Sequence, residues 1–493
     1  MLQTKTTIYR KIPPLLVVIS MLSMTVFTVQ PAAAIGELPP GVTRLADDNA
    51  DDQYDFDTIV EMGGNAYFIR ETNGWTIWKS DGTSISQVSP NDHSAWNLSA
   101  GNGVIFSEGY DSTNGLEPWV SDGTPGAGTY MIENIYPTTG YSYPYEFTPT
   151  NDGTDDKVYF IARNDTDGYE LYVSVAPYTS VAQVENFTAS DGSTYFDEMT
   201  AVPGNLTYDI FFEIYHPTYG NELFGSDGSS IELIQDINSS GTSSSYPRYI
   251  TALGTEVFFQ ADDGTDTELW KSDGSTTTEI DLYTDSSGSS SRPQYIAEMG
   301  GNLFFGAYTS TNGNEPRISN GVNFAGTQVL KDIMDTPSPN YSSQPYYFTG
   351  LDTMVLFSAD KSPEYGRELW ASDGTEGGTV MLVDNAPGGE DGYADRFDEE
   401  TVAEVNGLVY FAMNDGVHGS EIWQSDGTAA GTQLFADLNP GKASSQPYQL
   451  VGAGDYLYFV ANIDGNGFDV YSYDTNYQDY TIFADGFESG DTS

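Results

Sequence analysis

Nine times along the chain a short apolar run ends in a phenylalanine. The first three copies are Ala66-Tyr67-Phe68, Val104-Ile105-Phe106 and Val158-Tyr159-Phe160; the others end at Phe212, Phe259, Phe305, Phe357, Phe411 and Phe459. Successive copies are 38, 54, 52, 47, 46, 52, 54 and 48 residues apart. Such scatter is what loop insertions on a fixed core unit give, and self-similarity at this period marks a repeat architecture. Runs this short, rich in β-branched and aromatic residues, read as strands. No convincing helical period occurs beyond the first 34 residues.

Each copy continues alike. After a polar loop comes a second strand, as in Glu117-Pro118-Trp119, Glu222-Leu223-Phe224, Glu268-Leu269-Trp270, Glu368-Leu369-Trp370 and Glu421-Ile422-Trp423. A turn follows, such as Ser121-Asp122-Gly123-Thr124 or Ser425-Asp426-Gly427-Thr428. Asp-Gly between strands is a hairpin signal, because glycine takes the positive φ that the turn requires. A third strand, for example Thr432 to Phe435, leads through a Ser/Gly/Asn-rich loop and Pro247, Pro293, Pro345 or Pro447 into a fourth. Four short strands per unit, repeated radially, predict an all-β fold: a β-propeller of about nine blades.

The run Glu421 to Thr432, and likewise Glu368 to Thr379, resembles the bacterial repeat named for its consensus Glu-Leu-Trp-x-x-Asp-Gly-Thr. The resemblance covers nearly the whole chain after residue 34. The third copy departs from it at Leu171-Tyr172-Val173-Ser174, the sixth at Ser319-Asn320-Gly321 and the ninth at Val470-Tyr471-Ser472-Tyr473. Members of that family are exported or cell-surface bacterial proteins of mostly undefined activity. The resemblance therefore implies a fold and a location rather than a reaction.

The ninth copy stops one strand short. Val42 to Asp47 resembles Thr432 to Asp437, which predicts that an N-terminal strand completes the last blade and removes the open sheet edge. Nine blades exceed the usual four to eight. Two smaller propellers are the alternative, although no linker interrupts the middle of the chain. The expected organisation is a signal peptide at 1–34, a propeller at 35–476 and a flexible tail at 477–493.

The leader follows from Lys5, Arg10 and Lys11, an apolar run from Leu15 to Val29, and Ala32-Ala33-Ala34. This is the pattern of a secretory signal cleaved near Ala34. The apolar run falls short of the roughly 20 residues that span a bilayer. The expected location is thus secreted or cell-surface, with the periplasm also open, and without membrane insertion.

The chain has 17 basic and 72 acidic residues and no cysteine. Its formal charge is −55, and loss of the three leader cations takes it to −58. A surface that negative repels phosphate backbones, so nucleic acid is excluded as a partner. Without disulfides, an exported chain must rely on its core and on sheet closure. The acid itself has two readings: solubility, including in a salty medium that screens self-repulsion, and calcium binding by loop carboxylates.

In an antiparallel blade the connections alternate between two ends. The Asp-Gly turns share one face with the short turns at 64–65, 301–302 and 406–407, and the longer loops share the other. Those loops carry the candidate calcium ligands: Asp262, Asp263, Asp266 and Glu268 in one group, and Asp464, Asn466 and Asp469 in another. None has the full EF-hand spacing, and Asp, Asn and Gly also form turns for backbone reasons alone. The recurring Glu has two readings as well, as a cation ligand in each blade or as an acceptor for neighbouring backbone N–H groups. Trp119, Trp270, Trp370 and Trp423 read as packing between blades. Tyr246, Tyr341 and Tyr346 in the Ser-rich loops are candidates to meet a glycan or protein.

Catalysis finds little support. His93, His216 and His418 are the only histidines, so a zinc site of His and Cys is nearly excluded. No nucleophile motif frames any serine, and a glycosidase pair cannot be picked out among 72 acids. Asp-Gly turns also recur in sialidase blades, but there an arginine cluster does the chemistry. Eight arginines remain here after the leader, each with a surface or salt-bridge reading. The sequence therefore points to a surface-binding scaffold for a protein or glycan. A polysaccharide-active enzyme, lyase or hydrolase, is the alternative.

Overall fold

A computed structural model describes residues 38–477, apart from 47–57, 72–73, 138–139, 152, 167, 186–195, 284–288, 336–341, 362–364, 385–400, 440–443 and 466. Asn466 and Tyr341 therefore lie outside the described residues, as do the leader and most of the tail. The described chain forms 36 strands and no α-helix. The strands form nine antiparallel four-stranded sheets.

Blades 1 to 8 span residues 59–87, 94–131, 145–183, 196–235, 248–280, 294–329, 346–383 and 402–436, each with its strands in sequence order. Blade 9 takes its inner three strands from 448–474 and its outermost from Val42–Arg44. One ring of nine thus replaces the alternative of two smaller propellers.

The hydrophobic core is divided into nine clusters, one between each pair of neighbouring blades. Between blades 5 and 6, Phe258 and Leu269 meet Leu303 and Phe305; between 7 and 8, Leu356 and Leu369 meet Val409 and Phe411. The last cluster joins Tyr458 and Val460 of blade 9 to Ile59 and Phe68 of blade 1. Each blade begins one strand earlier than the sequence count, with the strand that the count placed last, so the repeated phenylalanines sit on second strands, the Glu-x-Trp runs on third strands and Gln433–Ala436 on a fourth. Phe259, Phe305, Phe357, Phe411 and Phe459 are fully buried. Each such side chain stabilises the ring by about 1.5–3 kcal/mol. Trp270 and Trp370 belong to the same inter-blade clusters, as their sequence pattern predicts.

The Asp-Gly turn is built by its own motif. Asp426 Oδ1 accepts the Thr428 N–H and hydroxyl, the Ser425 hydroxyl accepts the Gly427 N–H, and Ser425 and Thr432 share a further hydrogen bond. The glycine is needed twice at Gly82. Its φ is 96°, and a Cβ there would stand 2.5 Å from the ring of Tyr456 in blade 9. The Ser472 hydroxyl donates to Gly82 O at 2.7 Å, which ties blade 9 to blade 1.

Closure uses fewer residues than the sequence predicts. Val42, Thr43 and Arg44 pair with Tyr473, Ser472 and Tyr471. Beyond them the ladder ends, because the N–H groups of Leu45 and Ala46 both turn to Val470 O. Asp47 lies outside the described residues.

Candidate functional site

The recurring glutamate is an internal latch. Glu421, on the third strand of blade 8, is fully buried. Its carboxylate accepts the N–H of Leu438, just past the fourth strand, and the N–H and hydroxyl of Ser445, which leads into blade 9. The same three donors recur for Glu222 (Ile237, Ser245), Glu268 (Leu282, Ser291) and Glu315 (Ile333, Ser343). Glu117 accepts from the N–H groups of Ile135 and Tyr136. Buried backbone donors in a connection need such partners, because an unpaired one costs about 1–3 kcal/mol. Of the two readings of this glutamate, the geometry supports the backbone acceptor.

Burial drives the carboxyls of Glu117, Glu222, Glu268 and Glu315 up to about 7 and that of Glu421 up to about 8, against the donors that favour the charged form. The folded chain therefore holds protons that the unfolded chain has already released. This contribution to stability is full below the usual glutamate range and is lost as pH rises through 7–8. His93 acts in the opposite sense. It is 1 % exposed, its ring centre lies 4.2 Å from that of Trp119, and burial pushes it down to about 4. The unfolded chain thus takes up this proton first, and stability falls below about pH 6.5. Five glutamates outweigh one histidine, so the melting temperature at constant ionic strength is expected to fall from pH 5 to pH 8. A flat or rising profile would contradict the latch protonation.

The candidate calcium ligands divide. Glu268 is committed to its latch. Asp469 holds the equivalent position in blade 9, fully buried, and the Arg44 guanidinium lies 3.4 Å from it and 2.8 Å from Asp464. Asp262 Oδ1 accepts the Gly264 N–H, and Asp263 Oδ1 accepts those of Thr265 and Asp266. Burial, together with Asp263, Asp281 and Asp262, raises the Asp266 carboxyl. Among the described residues, no group of three or more His, Cys, Asp or Glu side chains is arranged to hold a metal ion.

The long-loop face contains a feature the sequence reading missed. In blades 2 to 7 and blade 9 the register of the first strand slips by a bulge. The bulges place Asn97, Glu146, Glu198, Tyr249, Tyr295, Tyr347 and Gln449 at φ between 53° and 57°. First strands of most adjacent blades pack on each other, and bulge residues reach from blade to blade. Glu198 accepts the Ile250 N–H and Gln449 the Ile59 N–H. The Tyr295 ring lies 5.2 Å from Tyr249 and 4.9 Å from Tyr347.

Ahead of five of these strands runs a Ser-x-Pro segment. The serines are the buried Ser142, Ser245, Ser291, Ser343 and Ser445, four of which donate twice to a latch glutamate. The middle residue is Tyr143, Tyr246, Arg292, Gln344 or Gln446, again at positive φ (43–50°) and exposed. Between the segments that lead into the first strands of blades 6 and 7 opens a polar cavity of about 420 Å³. Arg292, Gln294, Tyr308, Asn314, Gln344 and Tyr346 are among its lining residues. Tyr346 is held from behind by Arg367, whose guanidinium lies 4.6 Å from the ring centre, and by Tyr295 at 5.6 Å. The signal for these positions was legible: a serine two residues before each of Pro247, Pro293, Pro345 and Pro447.

Neither a family model nor a curated protein sequence matches the chain. Among solved structures it is similar to a computationally designed protein, Ika8, at 14% identity, covering 78% of this chain and 96% of that one, with a TM-score of 0.38. A prolyl endopeptidase shares 11% identity over 73% of this chain and 53% of its own, with a TM-score of 0.39. The β-propeller domain of the Trilobed protease from Pyrococcus furiosus shares 12% identity over 66% and 98%, with a TM-score of 0.33.

Proposed function

We propose that this chain is an exported, nine-bladed scaffold that binds a surface partner, protein or glycan, through its long-loop face. The single observation behind the reading is the set of five Ser-x-Pro residues. A left-handed position costs a non-glycine residue on the order of 1–3 kcal/mol, and glycine nothing. Here five such positions carry Tyr, Tyr, Arg, Gln and Gln, all exposed. The repeated residues around them are buried and serve the ring. Side chains that vary within a fixed frame, kept at a backbone cost, support a recognition surface. Export rests on the leader pattern of residues 1–34, and the Glu-Leu-Trp-x-x-Asp-Gly-Thr resemblance belongs to the same proposal.

The test pairs binding with turnover. The mature protein is presented to an array of acidic and neutral glycans and to material from a bacterial surface, and product release is followed on the same glycans. Retention without released product supports the scaffold. Released oligosaccharide would replace it by the polysaccharide-active enzyme.

A further inference from the structure

The cavity between the lead-ins of blades 6 and 7 has an unexpected composition. Acids outnumber bases 72 to 17 in this chain, yet the nine lining residues contain no carboxylate and one guanidinium. The rest are hydroxyls, primary amides and two phenols: Ser290, Ser291 and Ser342, Gln294, Gln344 and Asn314, Tyr308 and Tyr346. Arg292 is exposed, stands at a φ of 47°, and makes no ion pair among the described residues. Asn314 Oδ1 is a buried atom without a hydrogen-bond partner. Glu268 lies behind the lining Ser291, which donates to it twice, and Glu315 is occupied by Ser343, next to the lining Ser342.

We propose that this cavity binds an acidic sugar, a hydroxyl-rich ring whose carboxylate pairs with Arg292. The proposal rests on the scaffold reading and names its ligand class. Guanidinium matches carboxylate geometry with two parallel N–H donors. In a field as negative as this one, an anion is drawn only to a place where the acids have been cleared away and a cation left unpaired. Amides and hydroxyls supply donors and acceptors for ring hydroxyls. The phenols add apolar surface with a polar tip, and Arg367 and Tyr295 hold Tyr346 in place. The cavity, about 420 Å³ and open to solvent, has room for a sugar ring laid against its wall.

Calorimetric titration of the mature protein with digalacturonate, a neutral digalactoside and sodium sulfate tests this. Binding of digalacturonate alone is expected, weakened about tenfold or more in Arg292→Gln. Arg248→Gln, an exposed arginine on blade 5 outside the cavity, should leave it unchanged. Melting temperatures close to wild type show that both variants are folded. Equal affinity for the neutral disaccharide, equal affinity for sulfate, or an unchanged Arg292→Gln would each overturn the proposal. The scaffold reading fails separately. If array or surface binding persists but digalacturonate neither binds nor competes, only the acidic sugar is lost; if no binding is found at all, both fall.

Discussion

Glu421→Ala is expected to destabilise the protein by about 3–5 kcal/mol, among the largest effects of any single substitution outside the aromatic core. The alanine strands the buried Leu438 and Ser445 N–H groups and leaves the Ser445 hydroxyl only its long contact to Ser420 O. Glu421→Gln keeps an acceptor and removes the titration. With one acceptor oxygen where the carboxylate uses two, it should cost about 1–3 kcal/mol near pH 7, less than the alanine, and it should remove this residue's share of the fall of stability between pH 5 and 8. Glu376→Ala, at an exposed position on the opposite face, serves as the control. For a folded unit of this size each kcal/mol moves the melting temperature by only about 1–2 °C, so denaturant midpoints are the sharper readout. Equal losses for Glu421→Ala and Glu376→Ala would remove the latch from the account.

Deletion of residues 35–46 should do more damage still. It takes away the outermost strand of blade 9, buried Val42 and Ala46, and the Arg44 guanidinium that faces Asp464 and the fully buried Asp469. A buried carboxylate that loses its cation costs several kcal/mol, and the exposed edge of blade 9 becomes a site for pairing with other chains. The expected outcome is a melting temperature lower by 10 °C or more (on the order of several kcal/mol), with concentration-dependent aggregation. Removal of residues 485–493 should change neither. Arg44→Met isolates the charge from the strand and should give an intermediate loss. Equal melting temperatures for the two truncations would argue against closure by Val42–Arg44.

Much of the fold was legible because the repeat writes the same physics nine times. Phe259 or Phe411 can be recognised as core from spacing alone, and Ser425-Asp426-Gly427-Thr428 as a hairpin from glycine's backbone freedom. Loop insertions do not disturb either signal. Closure was legible as well, since Val42 to Asp47 copies a fourth strand, although only three residues pair. The site was harder. Glu268 and Asp469 look like loop ligands beside Asp262 and Asp464, yet each stands at the latch position of its blade, where partners from a distant connection or from the chain's other end absorb them. Those partners lie 14, 23 and more than 400 residues away, beyond the reach of local pattern. The bulges escaped for a different reason. A one-residue slip at Tyr249 or Tyr347 falls within a strand too short for its change of alternation phase to stand out, and nothing in those side chains announces positive φ.

On the proposed reading, the repeated residues build the ring while the exposed Ser-x-Pro residues meet a partner. The most direct measurement is retention of the mature protein on glycan or surface material for two folded variants. One carries Tyr246→Ser, Arg292→Gln and Gln344→Ala on the long-loop face; the other carries Asp352→Asn and Glu376→Gln on the short-turn face. Loss of retention in the first with full retention in the second is the predicted result. Full retention in the first, or equal loss in both, would contradict the account.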